Sequence, residues 1–87
     1  MCTLKAVQLK DTAPLMESAD YKERFKAEFI QAKIRYGKLH DMIVRYEAGT
    51  LDFEPSCPLE LLKKQASAMC QYLYCLEVRS QIEGISL

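Results

Sequence analysis

Lys22, Lys26, Phe29, Lys33, Tyr36 and His40 follow one another in steps of three or four residues, so on a helix they lie along one edge. The row holds no acid, whereas its opposite flank mixes Arg24, Glu28, Gln31, Arg35, Lys38 and Glu47. Cations interleaved with aromatic rings suit a phosphate-bearing ligand whose bases can stack. The same pattern also describes an ordinary solvated face, because lysines on helices keep proteins in solution. Arg45, Gln65, Tyr72 and Arg79 lie close to apolar positions and serve either as pocket walls or as structural bonds. Phe53, between Asp52 and Glu54, is an exposed aromatic that either covers a ligand or packs over the end of a hairpin.

Catalysis is a poor match to this inventory. His40 is the single histidine, and there is no nucleophile elbow, phosphate-binding glycine loop, H-E-x-x-H pair or dinucleotide-binding glycine pattern. No enzyme activity, catalytic residue or cofactor is therefore expected. Cys2, Cys57, Cys70 and Cys75 contain no C-x-x-C pair, which leaves a zinc site without its usual spacing. Cys70 and Cys75 sit among Met, Tyr and Leu, where a reduced cysteine acts as a small apolar filler, so neither a metal nor a disulfide is expected.

Net charge narrows the partners. Twelve basic and 12 acidic side chains cancel, leaving little counterion-release affinity for long nucleic acid, and a small compact anion is the better match. No apolar run approaches the roughly 20 residues that span a bilayer. The stretch "MCTLKAVQLKDTAPL" lacks a long apolar centre and a small-residue cleavage site, so a cytoplasmic location is expected and no membrane partner.

The elements that must carry the row are two long helices. Residues 1–19 read as an N-terminal arm in which Leu4, Val7 and Leu9 are too few and too irregular to define a structure, and Pro14 discourages a helix through it. Residues 20–87 read as a helical hairpin. Asp20 caps the first helix with Glu23 closing a capping box, and Gly49 supplies the left-handed residue that ends it. The second helix begins at Pro58 with Ser56 or Cys57 as its cap, runs to about Glu83 and stops at Gly84. Each helix is about 40 Å long at the usual rise per residue.

Periodicity pairs the helices. Phe25, Phe29, Ala32, Tyr36, Leu39, Ile43 and Tyr46 form a heptad seam, answered by Leu59, Leu62, Ala66, Met69, Leu73 and Leu76. The first helix has a second seam, Ala27, Ile30, Ile34, Gly37, Val44 and Ala48, about 200° away. The second helix has extra apolar breadth at Leu61, Ala68, Tyr72 and Cys75. A two-helix hairpin below about 70–80 residues buries too little to offset its ordering entropy. The expected fold is thus all-α, two long antiparallel helices with a short arm, assembled as a homo-oligomeric bundle through the second seam; the arm folding back over that seam is the alternative.

The segments "DYKERFKAEF", "KIRYGKLHDMIVRYEAGTLDF", "CPLELLKKQ", "YLYCLEVR" and "IEGI" resemble a family of small helical-hairpin proteins encoded by bacteriophages, including crAss-like phages of gut bacteria. The resemblance covers most of the chain from Asp20 to Ile85 and leaves the arm unmatched. It implies an anti-defence sponge, similar to those that sequester the cyclic nucleotide or cyclic ADP-ribose-type messengers of CBASS and Thoeris immunity. Such proteins hold their ligands, without hydrolysing them, in pockets between subunits in the cytoplasm of the infected host. It assigns no individual contact residue, and the row from Lys22 rests on spacing. The competing expectation is a non-enzymatic helical adaptor that binds a host or phage protein through an exposed apolar seam.

Overall fold

The computed structural model describes residues 8–87; Cys2, Leu4 and Val7 lie outside the described residues. A 3-10 turn, Leu9–Thr12, leads into a short helix α1 (Ala13–Met16), followed by the long helices α2 (Tyr21–Ala48) and α3 (Leu59–Glu83). The longest dimension, 43 Å, is the length that 28 residues of α2 generate at about 1.5 Å each.

The expected hairpin is present, with differences at its ends. Asp20 caps α2 by accepting from the Lys22 amide at 3.0 Å. Glu23 closes no capping box, because the Asp20 amide donates instead to Ser18 Oγ at 3.0 Å. Gly49, at φ 79°, turns the chain so that the amides of Thr50 and Leu51 donate to the Arg45 carbonyl at 2.9 and 3.2 Å. At α3 neither Ser56 nor Cys57 is the cap. Pro58 takes that place, with extended backbone and no side-chain bond, and its carbonyl accepts from the Leu61 and Leu62 amides.

Gly84 matters most for the core. Its φ of 70° ends α3 and lets the Ile85 amide donate back to the Ser80 carbonyl at 2.8 Å. That return folds the Ile85 side chain onto the helix it has just left. Phe25, Leu76 and Ile85 form the central cluster, with Phe29 packed against it. Ala32, Ile43 and Leu73 continue the buried seam, while Tyr36, Leu39, Leu59, Leu62, Ala66 and Met69 are half-buried. Toward the loop the seam loosens, with Tyr46 exposed and Lys63 reaching across to Glu47 at 2.9 Å.

The arm is a third helical piece. Pro14 lies in the first turn of α1, where a missing amide breaks no helical bond, so it starts a helix there and does not prevent one. The arm packs against α2 and, among the described residues, makes no packing contact with α3. Thr12 is fully buried; its hydroxyl donates to the Leu9 carbonyl at 2.7 Å and accepts from Gln31 Nε2 at 2.8 Å. Arg24, two turns before Gln31, donates to the Ser18 carbonyl at 2.9 Å. These bonds fasten the arm along the N-terminal half of α2.

The second seam is accordingly divided. Ala27 is buried, and Ile30 and Ile34 are half-buried. Gly37, Val44 and Ala48 remain exposed. Cys70 and Cys75 are exposed free thiols, as is Cys57, so within one chain they are not the apolar fillers expected. Cys70 stands at the edge of α3 beside Tyr36 of α2.

A candidate ligand groove beside the helix pair

A concavity of about 670 Å3 runs along one flank of the α2–α3 seam. Phe29 and Lys33 form its α2 wall, Tyr74, Glu77 and Gln81 its α3 wall, and Ile85 to Leu87 close one end. Helical spacing explains the grouping. Phe29 and Lys33 are one turn apart, as are Glu77 and Gln81, and each pair stands beside buried seam residues.

Lys33 is the cation of the groove. Its ammonium lies 5.8 Å from the centroid of the Phe29 ring, an attractive arrangement that leaves its N–H donors free. Among the described residues no carboxylate lies within ion-pair distance of it. Glu77 supplies a carboxylate to the same groove, likewise without an ion pair among the described residues. The groove therefore offers one cation, one carboxylate, the Gln81 amide and the faces of two aromatic rings. By its chemistry that set is complementary to an anion bearing flat rings and N–H or O–H groups.

The rest of the expected row flanks the groove. Tyr36 stacks on His40, ring centroids 5.6 Å apart and 21° between planes, continuing the edge toward the loop. Burial, then the neighbouring Cys70 thiol of α3, raises the Tyr36 hydroxyl above its ordinary value. Lys26 is half-buried and Lys22 exposed in the first turn of α2; neither lines the groove.

The remaining candidates lie elsewhere. Arg45 pairs with Asp41 at 3.1 Å, and its position two residues past buried Ile43 turns it about 200° from the seam. Phe53, 56% exposed, lies in the interhelical loop, past the end of α2 and about 28 Å of helix rise beyond Phe29. Tyr72 and Arg79 occupy the opposite flank of α3. Arg79 donates to the Tyr21 hydroxyl at 2.8 Å and to Glu83 at 3.3 Å, with its guanidinium 4.8 Å from the Phe25 ring centroid. Tyr21 also donates to Glu83, at 2.8 Å. Arg79 is thus engaged in a clasp between the start of α2 and the end of α3.

Tyr72 donates a hydrogen bond to Glu28. Burial first, then that bond and the carboxylate charge, push its hydroxyl up to about 12, partly opposed by Arg79. This value exceeds the roughly 10 of an unfolded tyrosine, so the folded chain holds the proton more tightly. Its contribution is complete below about pH 10 and is lost as pH rises toward about 12. Tyr72→Phe is expected to flatten the alkaline fall in stability. Urea unfolding at about pH 9 and about pH 11 checks this; equal alkaline loss in both proteins refutes it.

Tyr74, Glu77 and Gln81 were absent from the sequence-based candidates. Their i, i+3, i+7 spacing puts them on one flank of the Leu73–Leu76 seam, and tracing that edge along the second helix is the signal that identifies them. Among the described residues, no three His, Cys, Asp or Glu side chains cluster as metal ligands. No described helix is long and apolar enough to cross a membrane.

The sequence pattern of a family described as Sequestin matches residues 19–82. The match takes in α2, the loop and nearly all of α3, and excludes most of the arm and the tail that closes the groove. No curated protein and no solved structure matches the chain.

Proposed function

The chain belongs to the Sequestin family, whose name fits the sequestration of a small molecule, and on that premise we propose that it is a phage anti-defence sponge. It captures a cyclic nucleotide or cyclic ADP-ribose-type immune messenger in the cytoplasm of the infected host and holds it without hydrolysis. The observation that carries this reading is Lys33, without an ion pair among the described residues, beside the Phe29 ring and facing Tyr74, Glu77 and Gln81 across one groove.

Each part has a role in capture. Lys33 pairs with a messenger phosphate through charge-assisted hydrogen bonds, while Phe29 and Tyr74 offer ring faces to a base. Glu77 and Gln81 accept from base or ribose donors. An anion in so open a groove needs a cover to exclude water, and the second copy of the chain supplies it. The groove rim continues into exposed apolar side chains of α3, with Tyr74 65%, Val78 40% and Ile82 79% exposed. Burying that rim against another subunit encloses the ligand between copies. Capture is stoichiometric, so the messenger is expected to be recovered intact after the protein is denatured.

Calorimetric titration with cyclic dinucleotides, cyclic trinucleotides and cyclic ADP-ribose isomers tests the reading. Lys33→Ala is expected to weaken the bound messenger by about tenfold or more, from the roughly 1.5–3 kcal/mol of a charge-assisted bond. Arg45→Ala, which removes a paired guanidinium from the far side of α2, is expected to bind as the wild type does. Equal affinity of the Lys33→Ala variant overturns the groove assignment. The same exposed α3 face also favours a second reading, a helical adaptor for a host or phage protein, and no binding across the panel supports that alternative. A shortened nucleotide product refutes both.

A further inference from the structure

We infer that a second, smaller groove on the opposite flank of the α2–α3 seam is an independent site for a singly phosphorylated nucleotide. This groove, about 320 Å3, is lined by Gln31, Ala32 and Arg35 of α2 and by Gln65, Met69 and Tyr72 of α3, with Glu28 at its edge. It shares no lining residue with the first groove. Its volume is about half that of the first, which suits one nucleoside and one phosphate.

The chemistry of its walls is specific. Arg35 is exposed and, among the described residues, pairs with no carboxylate. Its planar fork matches two oxygens of a phosphate. Glu28, the acid nearest in the lining, is already engaged by the Tyr72 hydroxyl, which leaves that carboxylate less available to Arg35. Gln31 commits its Nε2 to Thr12 at 2.8 Å, so its carbonyl oxygen remains as an acceptor for base N–H groups. Ala32 is buried and Met69 half-buried, giving the groove an apolar floor, and the Tyr72 ring, 43% exposed, stands beside it for a base to pack against.

This site does not depend on what fills the first groove. The test is calorimetric titration of the full chain with adenosine 5′-monophosphate, guanosine 5′-monophosphate and, as the phosphate-free control, adenosine. Saturable binding of at least one mononucleotide at about 1 mM or below is expected, with adenosine at least about tenfold weaker. Arg35→Ala is expected to reduce mononucleotide affinity about tenfold or more and Arg35→Lys to restore part of it, while Lys33→Ala leaves it unchanged. Arg35 is on the surface, and far-ultraviolet circular dichroism confirms that its variants fold. No saturation by about 10 mM, wild-type affinity in Arg35→Ala, or loss in Lys33→Ala alone each overturns the proposal. A failure of messenger binding at Lys33 leaves this result readable, because the two variants report on separate grooves.

Discussion

Replacing Phe25 with alanine is expected to lower the unfolding free energy by about 3–5 kcal/mol, the range for emptying a buried aromatic site. Phe25 is 2% exposed and is shared by every part of the central cluster. It packs with Leu76 and with Ile85, which returns after the end of α3. Its ring meets the Tyr21 ring edge-on at 6.1 Å and carries the Arg79 guanidinium on its face. Few other large side chains are as deeply buried, so the space left by the ring has little to collapse into. A domain of this size has a total stability of only about 4–13 kcal/mol, and the variant therefore sits close to unfolding. Ile43→Val, toward the loop, is expected to cost about 0.5–1.5 kcal/mol. Urea denaturation followed by circular dichroism measures both. A Phe25→Ala loss no larger than that of Ile43→Val shows that this cluster does not hold the hairpin together.

Which features were legible in the sequence follows from how locally each is encoded. Asp20, Gly49 and Gly84 act within one helical turn, and all three end or begin a helix where their chemistry dictates. The Phe25–Ile43 seam was readable because its partner on α3 repeats at the same period. The Glu23 capping box was not, because Ser18, five residues upstream, competes for the Asp20 amide, and both choices look equally good in one dimension. The arm resisted reading for a related reason. Its structure depends on Arg24 and Gln31 reaching it from α2, and nothing within residues 8–18 encodes those partners. Half of the candidate site was visible, since Phe29 and Lys33 belong to a row on a single helix. Glu77 and Gln81 face them only once α3 has docked. Tyr72 and Arg79 are polar groups beside a seam, which suits a pocket wall or a structural bond equally, and only the fold commits their hydroxyl and guanidinium to Glu28, Tyr21 and Glu83.

Introducing acids at Leu61 and Ile82 together is expected to abolish self-association. The sequence alone pointed to the back of α2 as the subunit face, but the arm is fastened along that half of α2 through Arg24 and Gln31, and Ala27 there is already buried within one chain. Most of the large exposed apolar side chains of the two long helices lie on α3. Leu61, Ala68, Cys75 and Ile82 recur every seven residues, a spacing that keeps one stripe facing outward along the helix. Leu61 is 53% and Ile82 79% exposed, with Tyr72 and Val78 on its margins. Fully burying a side chain of this kind is worth about 1.5–3 kcal/mol. Two such residues from each of two chains reach roughly 6–12 kcal/mol, less the share already buried. Losing even half of that weakens association by at least about thirtyfold, before the cost of bringing four carboxylates together. Sedimentation velocity at micromolar concentration is expected to show an oligomer for the wild type and a smaller species for Leu61→Asp/Ile82→Asp. Messenger capture in the Lys33 groove is expected to fall with it, because the cover is gone. Val44→Asp, on the back of α2, separates the two faces: a larger effect there than at Ile82 returns the interface to the second seam. A wild type that remains a folded monomer throughout removes the shared pocket altogether, and Lys33 then has to hold its ligand in the open.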